Sequence, residues 1–520
     1  MNKLSPSAFY WKLIHHLVIN EGLRVFQVNS DEKEVWLEVE DAKETTAIRI
    51  IRRDTDWSNY IARDVEKLAK QGEKIRKELR SRKLKILNVY ISDFLPVEND
   101  QDILEKAYLT KKNCIKIQSF IIDSEDGSKS GLEKLSEALQ ISLTVLNSKD
   151  LDDLEGEVNF REEVVSISEK RLEKEKGLFT YGKPLFTFLI LISILVIFGL
   201  MEYYGSSTSL LTLVEFGAKY NPLIYKGEWW RFFTASFLHI GYLHLVMNSI
   251  ALYYLGSAVE RIYGTTRFVL IYVIAGLFGS ISSFAFNSQI SAGASGAIFG
   301  CFGALLFFGV VHRKLFFRTM GVNLIVILAI NLVFGFMIPM IDNGAHIGGL
   351  IGGFLASAVL YLPNHKLKKR QFVSFLVTVL SATVLLIYGF SSEGDQENTH
   401  LINVQIAQEL IQKDEVEQAY PLLKAAVEAD VAIIEANFLL AYAEARLGLL
   451  KDAEKNLLIT IEERPLLHEA HYNLSLIYFE LRQFADALNS IEDALEIKPD
   501  NEDYHKLKEK IDKLLVESRK

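Results

Sequence analysis

Long apolar stretches separated by short polar segments dominate the middle of this chain. Seven stretches between Pro184 and Phe390 contain no Asp, Glu, Lys or Arg. Each has close to the roughly 20 residues that an α-helix needs to cross a hydrocarbon core of about 30 Å. The pattern therefore predicts a polytopic α-helical membrane domain over residues 179–391, with spans at residues 184–201, 236–258, 268–286, 294–311, 320–341, 344–362 and 372–390.

Basic residues in alternate connections predict how these spans are oriented. Connections 287–293 and 342–343 contain no Lys or Arg, whereas those on the other side are rich in both. Because Lys and Arg are enriched in cytoplasmic loops, we expect the basic connections to be cytoplasmic. In a multi-pass cell-membrane protein with seven crossings, the N-terminus is then cytoplasmic and the C-terminus extracytoplasmic. The basic residues are Arg261, Arg267, Arg313, Lys314, Arg318, Lys366, Lys368, Lys369 and Arg370.

Residues 1–178 show the periodicities of a soluble α/β domain. Apolar residues recur at helical spacing over residues 6–20, and further helices are predicted at 57–80 and 131–146. We expect a cytoplasmic regulatory domain, joined to the membrane by a charged segment at residues 162–176. Alternating or continuously apolar runs predict its strands at residues 24–28, 34–40, 45–51, 84–91 and 115–122.

An acidic cluster in this domain has two interpretations. Carboxylate oxygens are the ligands that divalent cations prefer, so the cluster is a candidate cation site. Acidic residues on a solvated β-hairpin give the same pattern, and we favour that interpretation. The cluster comprises Asp31, Glu32, Glu34, Glu38, Glu40 and Asp41.

The C-terminal region, residues 400–520, repeats with a helical period of 34 residues. Ala419, Ala453 and Ala487 are spaced by 34, and Pro465 and Pro499 keep the same interval. This period is typical of tetratricopeptide repeats, which stack helical hairpins and leave a concave surface for a protein partner. A helical spacer without a ligand is the alternative. About three repeats are predicted, at residues 403–430, 435–464 and 469–498.

The composition narrows the functional classes. The 520 residues are 49% hydrophobic and 24% charged, with a formal net charge of −9. An acidic balance argues against a nucleic-acid partner bound through a basic surface. The two cysteines, Cys114 and Cys301, are too few for a disulfide framework or a cysteine-ligated zinc site.

Polar residues near the outer ends of three spans form the candidate site. The second span carries His239, His244 and Asn248, the fourth begins near Ser295, and the sixth begins near His346. A lone Ser in a glycine-rich span is ordinarily a packing residue, and a lone interfacial His ordinarily a hydrogen-bonding one. Polar groups at membrane depth are costly, however, and their joint occurrence at one depth indicates a functional site.

These residue types suit nucleophilic catalysis. A serine hydroxyl needs an adjacent base, which His346 would supply to Ser295. An oxyanion on a substrate carbonyl needs fixed donors, which His244 and Asn248 would supply. No Asp or Glu lies within the spans to orient the base, so a dyad is favoured over a triad. Neither a metal ion nor an organic cofactor is needed.

Five sequence motifs occur around the candidate site: Gly293-Ala-Ser295-Gly296, Ala345-His346-Ile-Gly348-Gly349, His244-Leu-Val-Met-Asn248, Trp230-Arg231, and Gly256-Ser-Ala-Val-Glu260-Arg261 with Gly264. With these motifs, the chain resembles the rhomboid family of intramembrane serine proteases over about residues 180–390. The resemblance implies a six-helix core with Ser295 as nucleophile, His346 as general base, and His244 with Asn248 stabilising the oxyanion. It also implies transmembrane protein substrates cut near the outer face, and the seventh span lies outside the core.

The resemblance further implies supporting roles for several residues. Trp230-Arg231 would stabilise the loop after the first span, and Glu260 with Arg261 the cytoplasmic end of the second. His239 would support the site rather than take part in catalysis. Phe299 stands where some relatives have a Tyr stacked on the base, so the ring is kept and the hydroxyl is lost.

A non-proteolytic membrane-protein adaptor or transporter is the alternative function. Glycine-rich polar spans also build transport pathways, and repeats serve as scaffolds. A transporter should carry an ion-binding acid within a span, and these spans have none.

Overall fold

The computed structural model shows two compact units, Met1–Leu178 and Phe179–Lys520. The first contains a β-sheet with helices on both faces, and the second contains the apolar helices and the repeats. The residues that the structure describes are 6–29, 31–39, 45–53, 58–79, 83–92, 107–110, 114–123, 129–143, 154–338, 341–365, 369–391, 396–431 and 433–518.

The first unit is built on a six-stranded mixed sheet with the strand order β1-β2-β3-β4-β6-β5. Strands β1 to β3 pair antiparallel, β3, β4 and β6 pair parallel, and β5 pairs antiparallel to β6 at the edge. Parallel strands covered on both faces bury residues toward both, and in β4 and β6 the neighbours Ile86 and Leu87, and Ile121 and Ile122, are buried on opposite faces. The strands are β1 (Arg24–Val28), β2 (Glu34–Val39), β3 (Thr45–Arg52), β4 (Leu84–Ser92), β5 (Tyr108–Leu109) and β6 (Ile115–Asp123).

Four helices cover the two faces of this sheet. Helix α2 buries Ile61 and Leu68 on one face, and α1 buries Leu13 on the other, beside α3 and α4. The predicted α/β pattern is therefore present, with most strand bounds within one residue. The charged segment 162–176 is part of a long helix, and the two-residue strand β5 was not predicted. The helices are α1 (Pro6–His15, followed by a π-helical turn His16–Asn20), α2 (Ser58–Glu78), α3 (Lys129–Leu139) and α4 (Leu154–Gly177).

Three of the four acidic residues of this cluster that the structure describes pair with arginines. Glu34 pairs with the buried Arg49 at 3.0 Å, and Glu38 lies 3.6 Å from Arg24. Glu32 pairs with Arg161 across the domain. These ion pairs favour the hairpin interpretation over a cation site. Glu40 and Asp41 lie outside the described residues.

The second unit begins with the apolar helices, and six of the seven predicted spans each overlap a single one of them. Among the described residues, four helices are long and apolar enough to cross a membrane alone, and two bent pairs raise that number to six. A seventh apolar helix, α12, is shorter, with 17 residues. The helices are α5 (Leu185–Tyr204), α6 (Leu210–Glu215), α7 (Asn221–Tyr225), α8 (Arg231–Thr234), α9 (Gly241–Ala251), α10 (Ser257–Tyr263), α11 (Thr265–Phe286), α12 (Ser295–Val311), α13 (Arg313–Thr319), α14 (Gly321–Met337), α15 (Asn343–Leu360) and α16 (Lys369–Ser391).

The second span differs from the prediction at its start. A 3₁₀ turn, Ala235–Phe237, precedes a bend of 90°, and the straight part begins only at Gly241. That part continues through a π-helical turn, Leu252–Gly256, to the end of α10. A π turn inserts an extra residue into the helix and shifts the faces that follow it. His239 therefore lies in the bend before α9, and His244 lies in its first turns.

Glycines let α12 and α15 touch through their backbones. A Cβ atom on Gly349 would lie 1.9 Å from the carbonyl oxygen of Gly296, and one on Gly353 would lie 2.2 Å from that of Gly300. Such separations admit only hydrogen at these positions. The close approach, predicted from the small-residue spacing, fixes the start of α12 against the start of α15.

The C-terminal residues form three helical hairpins and a final helix. Ala419, Ala453 and Ala487 are fully buried, so the 34-residue period marks the helix contacts of the stack. The hairpins are α17 (Gln396–Gln412) with α18 (Val416–Glu428), α19 (Ile433–Arg446) with α20 (Leu450–Glu463), and α21 (His468–Glu480) with α22 (Phe484–Ile497), followed by α23 (Glu502–Ser518).

The first repeat helix packs on the loop that joins α5 to α9, residues 205–240, called here the first connecting loop. The Glu409 carboxylate accepts hydrogen bonds from Ser209 Oγ and from the amides of Leu210 and Leu211, at the N-terminus of α6. Tyr220 donates its hydroxyl hydrogen to Asn403 Oδ1. Apolar side chains fill the contact: Leu211, Val214 and Tyr220 from the loop, with Ile402, Ile406 and Leu410 from α17.

Candidate active site

The segment before α12 brings Ser295 beside His244. Gly293 has φ = 149°, a conformation in which a side chain would be strained. A Cβ atom there would also lie 2.8 Å from His244 Cε1 and 3.6 Å from Ser295 Oγ. Gly293 therefore lies against the side chains of both His244 and Ser295, and a residue with a side chain would not fit between them. Residues 287–294 are called the Ser295 loop below.

His346 lies one turn into α15, on the face that meets α12. Its ring is stacked on that of Phe299, with 4.2 Å between centroids and 10° between planes. Its Nδ1 is buried and has no hydrogen-bond partner among the described residues. Asp342 Oδ1 instead accepts from the Ala345 amide at 2.9 Å, as the N-cap of α15. Within that part of the chain, no carboxylate therefore hydrogen-bonds the imidazole through Nδ1.

Helix α9 contributes the two candidate oxyanion donors. The side chain of Asn248 is buried, and its Nδ2 has no hydrogen-bond partner in the part of the chain that the structure describes. A buried amide left unpaired in a folded protein is available to a substrate or to water. His244 lies between Gly293 and His239, and the ring centroids of the two histidines are 5.2 Å apart. His239 is fully buried and packs behind His244, consistent with the supporting role expected for it.

Arg231 occupies the interior of the first connecting loop. Its Nη1 donates to the carbonyl oxygens of Val214 at 2.7 Å and Ala218 at 3.1 Å, and its guanidinium covers the ring of Trp230. Its Nε pairs with Glu228 at 2.7 Å. These contacts hold the turn after α6 against α8, the structural role that the sequence motif predicted.

Glu260 stabilises the end of the membrane helices that lies away from the candidate site. Its fully buried carboxylate accepts from the amides of Phe186 at 3.0 Å and Thr187 at 2.8 Å, the first residues of α5. It also accepts from the hydroxyls of Thr187 and Thr265. The carboxylate thus caps α5 and joins it to α11. Arg261 is exposed and contributes its backbone carbonyl, which accepts from Gly182.

Two charged residues near the site were not predicted as functional. Lys219, in the first connecting loop, is fully buried, and Asp342 at the start of α15 is half-buried. Burial lowers the pKa of Lys219 to about 8, although the charge of Asp342 acts in the opposite direction. Burial alone would raise the pKa of Asp342, but Lys219 and hydrogen bonds from Ser283, Ala345 and Ser291 lower it below its ordinary value. Nothing in the local sequence marks Lys219, since its burial arises from tertiary packing.

The fold and the site together define a multi-pass helical membrane protein in which serine and histidine side chains converge where three apolar helices begin. The Rhomboid domain family matches residues 226–363 of the chain. Rhomboid protease GluP of Bacillus subtilis (strain 168) is 38% identical over 478 residues, which cover 91% of this chain and 91% of that protein. The chain therefore belongs to the rhomboid family, and it is a rhomboid-type serine protease, a membrane-embedded hydrolase of peptide bonds.

Other comparisons concern parts of the chain. RHOMBOID-like protein 5 of Arabidopsis thaliana is 40% identical over 159 residues, 30% of this chain and 51% of its own length. The Tetratricopeptide repeat family matches residues 468–501, the third hairpin. The solved structure of the tetratricopeptide-repeat protein YrrB covers 40% of this chain and 99% of its own, at 18% identity and a TM-score of 0.21. The family match identifies the third hairpin as a tetratricopeptide repeat in a chain that also carries a rhomboid domain.

Proposed function

We propose that Ser295 and His346 form the catalytic dyad of an intramembrane protease that cuts transmembrane segments near the outer face of the membrane. The observation that carries this proposal is the meeting of Ser295, His244 and the His346 helix at one end of the bundle. Stacking on Phe299 holds the His346 ring, and the glycine contact between α12 and α15 fixes the spacing of the two helices.

The chemistry follows the usual course of serine hydrolysis. His346 removes the proton of Ser295 as the Ser295 oxygen attacks the scissile carbonyl carbon. The tetrahedral oxyanion is stabilised by hydrogen bonds from the side chains of His244 and Asn248. The imidazolium of His346 then gives the proton to the leaving amine, and an acyl-enzyme forms. Water deprotonated by His346 hydrolyses the ester and returns Ser295 to its hydroxyl form.

We propose that α16 is a seventh span and that the site faces outward. The last turn of α16 contacts α7, where the Tyr225 hydroxyl donates to the Gly389 carbonyl at 3.0 Å, and the end of α11, where Phe390 packs on Phe284. The repeats thus follow on the side where α12 and α15 begin. The positive-inside rule assigns the opposite side to the cytoplasm, which makes the C-terminus extracytoplasmic.

We propose that the two regions outside the membrane domain recruit substrates or protein partners and regulate the protease. On this proposal, residues 400–520 form an extracytoplasmic repeat domain that binds substrates or protein partners, and the cytoplasmic domain 1–178 controls access to the membrane domain 179–391. Repeat stacks present a concave surface suited to extended peptides. An adaptor role in which the repeats present membrane proteins without cutting them is the second candidate, and it is compatible with protease activity in the same chain.

Covalent labelling of the detergent-purified full chain with a fluorophosphonate tests the dyad. We expect the wild type to be labelled, because an activated serine attacks this phosphorus centre. Ser295→Ala should abolish labelling, and His346→Ala should reduce its rate by more than about two orders of magnitude. Ser193→Ala, which alters a serine in α5 away from the site, is the matched control and should label like the wild type.

Cleavage of a transmembrane substrate in liposomes completes this test. Labelling and cleavage that both persist in Ser295→Ala would show that another residue is the nucleophile. A folded wild type that neither labels nor cleaves would favour the adaptor role.

A further inference from the structure

A buried lysine holds the Ser295 loop through both its side chain and its backbone. Lys219 Nζ donates to the carbonyl oxygens of Asn287 at 2.6 Å and Gln289 at 2.8 Å. The Lys219 backbone also exchanges two hydrogen bonds with Ser291, of 2.9 Å and 3.0 Å. One residue therefore fixes the loop at three points, and the loop continues through Gly293 directly into Ser295.

A half-buried carboxylate holds the helix that carries His346. Asp342 Oδ1 caps α15 by accepting from the Ala345 amide, and its other oxygen accepts from the Ser283 hydroxyl at the end of α11. The Asp342 carbonyl oxygen accepts from the His346 amide at 3.1 Å. Asp342 therefore fixes the start of α15, the helix that carries His346.

Ser291 joins the two charged residues. Its backbone pairs with that of Lys219, and its side chain lies near enough to the Asp342 carboxylate to lower the pKa of that group. The charges of Lys219 and Asp342 also shift each other's pKa. A lysine is seldom fully buried, because removing a charge from water is costly. Simple loop packing would be served as well by apolar side chains, so the retention of two charges indicates a more specific task.

We propose that Lys219 and Asp342 are a pair of positioning residues that set the distance between the nucleophile and the base. Lys219 fixes the loop leading to Ser295, Asp342 fixes the helix start leading to His346, and Ser291 couples the two. This proposal rests on the proposed dyad, and it adds two residues that touch neither the substrate nor the reacting atoms.

A double-mutant cycle separates positioning from simple stability. Lys219→Met keeps the length of the side chain without its charge, and Asp342→Asn keeps the N-cap without its charge. Each single change removes one of two charges that stabilise each other, so the melting temperature should fall in both. The double variant leaves no unpaired charge and should recover most of the melting temperature. Lys226→Met, at an exposed lysine of the same loop, is the control.

The kinetic readouts are the rate of fluorophosphonate labelling and the kcat and KM for a transmembrane substrate. If the pair sets the dyad geometry, both single variants should lose at least tenfold in labelling rate and kcat, with KM changed by less than about threefold. The double variant should remain at least tenfold impaired although it is as stable as the wild type. Recovery of kcat together with the melting temperature would reduce the pair to a structural role and overturn the proposal.

Amide hydrogen exchange of residues 287–293 gives a readout that does not depend on activity. Exchange should become at least tenfold faster in Lys219→Met and should stay unchanged in Lys226→Met, since only the first releases the loop. Unchanged exchange in Lys219→Met would overturn the proposal even if the wild type proved inactive. Faster exchange with wild-type labelling in that variant would also overturn it, while leaving the proposed dyad intact.

Discussion

At Phe299, an aromatic ring is stacked flat on the imidazole of His346, the residue proposed as the base. Stacked aromatic pairs contribute about 0.5–1.5 kcal/mol beyond their burial. Phe299→Leu keeps the apolar volume and removes the flat face, so kcat should fall roughly two- to tenfold. Phe299→Tyr keeps the face and should retain most of the activity. Cleavage kinetics with one transmembrane substrate check both variants, and equal kcat values for Leu and Phe would show that the stacking is dispensable.

The candidate dyad and the oxyanion donors could be predicted from sequence because they combine rare features: a serine, two histidines and an amide in otherwise apolar spans. Lys219 has no such signal, since a lysine in a loop is ordinarily exposed. Its burial depends on the fold of the first connecting loop around Arg231, which local patterning does not encode. Asp342 was visible beside His346, but its role as a helix cap depends on where α15 begins.

At the scale of elements, the backbone contact between α12 and α15 determines the shape of the site. Gly349→Ala would place a methyl group 1.9 Å from the Gly296 carbonyl oxygen, and that separation can only be relieved by moving the helices apart. Overpacking of this kind costs roughly 1–3 kcal/mol or more, whereas Gly→Ala inside an unobstructed helix is favourable by about 1 kcal/mol. We therefore expect Gly349→Ala to lower the melting temperature and abolish labelling.

Gly199→Ala provides the matched control for this prediction. Nothing lies within 4 Å of a Cβ atom at Gly199 in the middle of α5, so the same chemical change there meets open space. The control should keep wild-type labelling and an equal or higher melting temperature. A Gly349→Ala variant that behaves like the control would mean that α12 and α15 do not need their close approach.

Helix positions were predictable because a membrane span is both long and apolar, but helix irregularities were not. The bend before Gly241 and the π turn at Leu252–Gly256 follow no hydropathy signal, and they decide which face of α9 and α10 carries each side chain. In the first unit, alternation located the main strands, while β5 is too short to give a pattern. Periodicity thus predicts where elements lie more reliably than how they bend.

At the scale of the whole second unit, the repeats are packed against the membrane domain rather than tethered to it. The apolar contact of α17 covers Leu211 and Val214 of α6, and Ile290 of the Ser295 loop packs at its edge. Sequence periodicity predicted the hairpins but not this contact, because the loop side chains involved are ordinary apolar residues. Deleting residues 400–520 would uncover this surface, so a loss of activity on deletion would not by itself demonstrate substrate recruitment.

Glu409→Ala tests the docking of the repeats without removing them. The carboxylate caps α6 through Ser209 and two backbone amides, and losing an N-terminal cap costs about 0.5–2 kcal/mol. We expect a lower melting temperature and faster proteolytic cutting between α16 and α17. Glu417→Ala, at an exposed residue one helix further on, should change neither the melting temperature nor the rate of proteolysis.

Because α6 leads through Ala218 to Lys219, labelling of Ser295 should slow in Glu409→Ala if docking of the repeats supports the site. Wild-type labelling in a variant with demonstrably released repeats would mean that the protease domain needs the repeats only for what they bind.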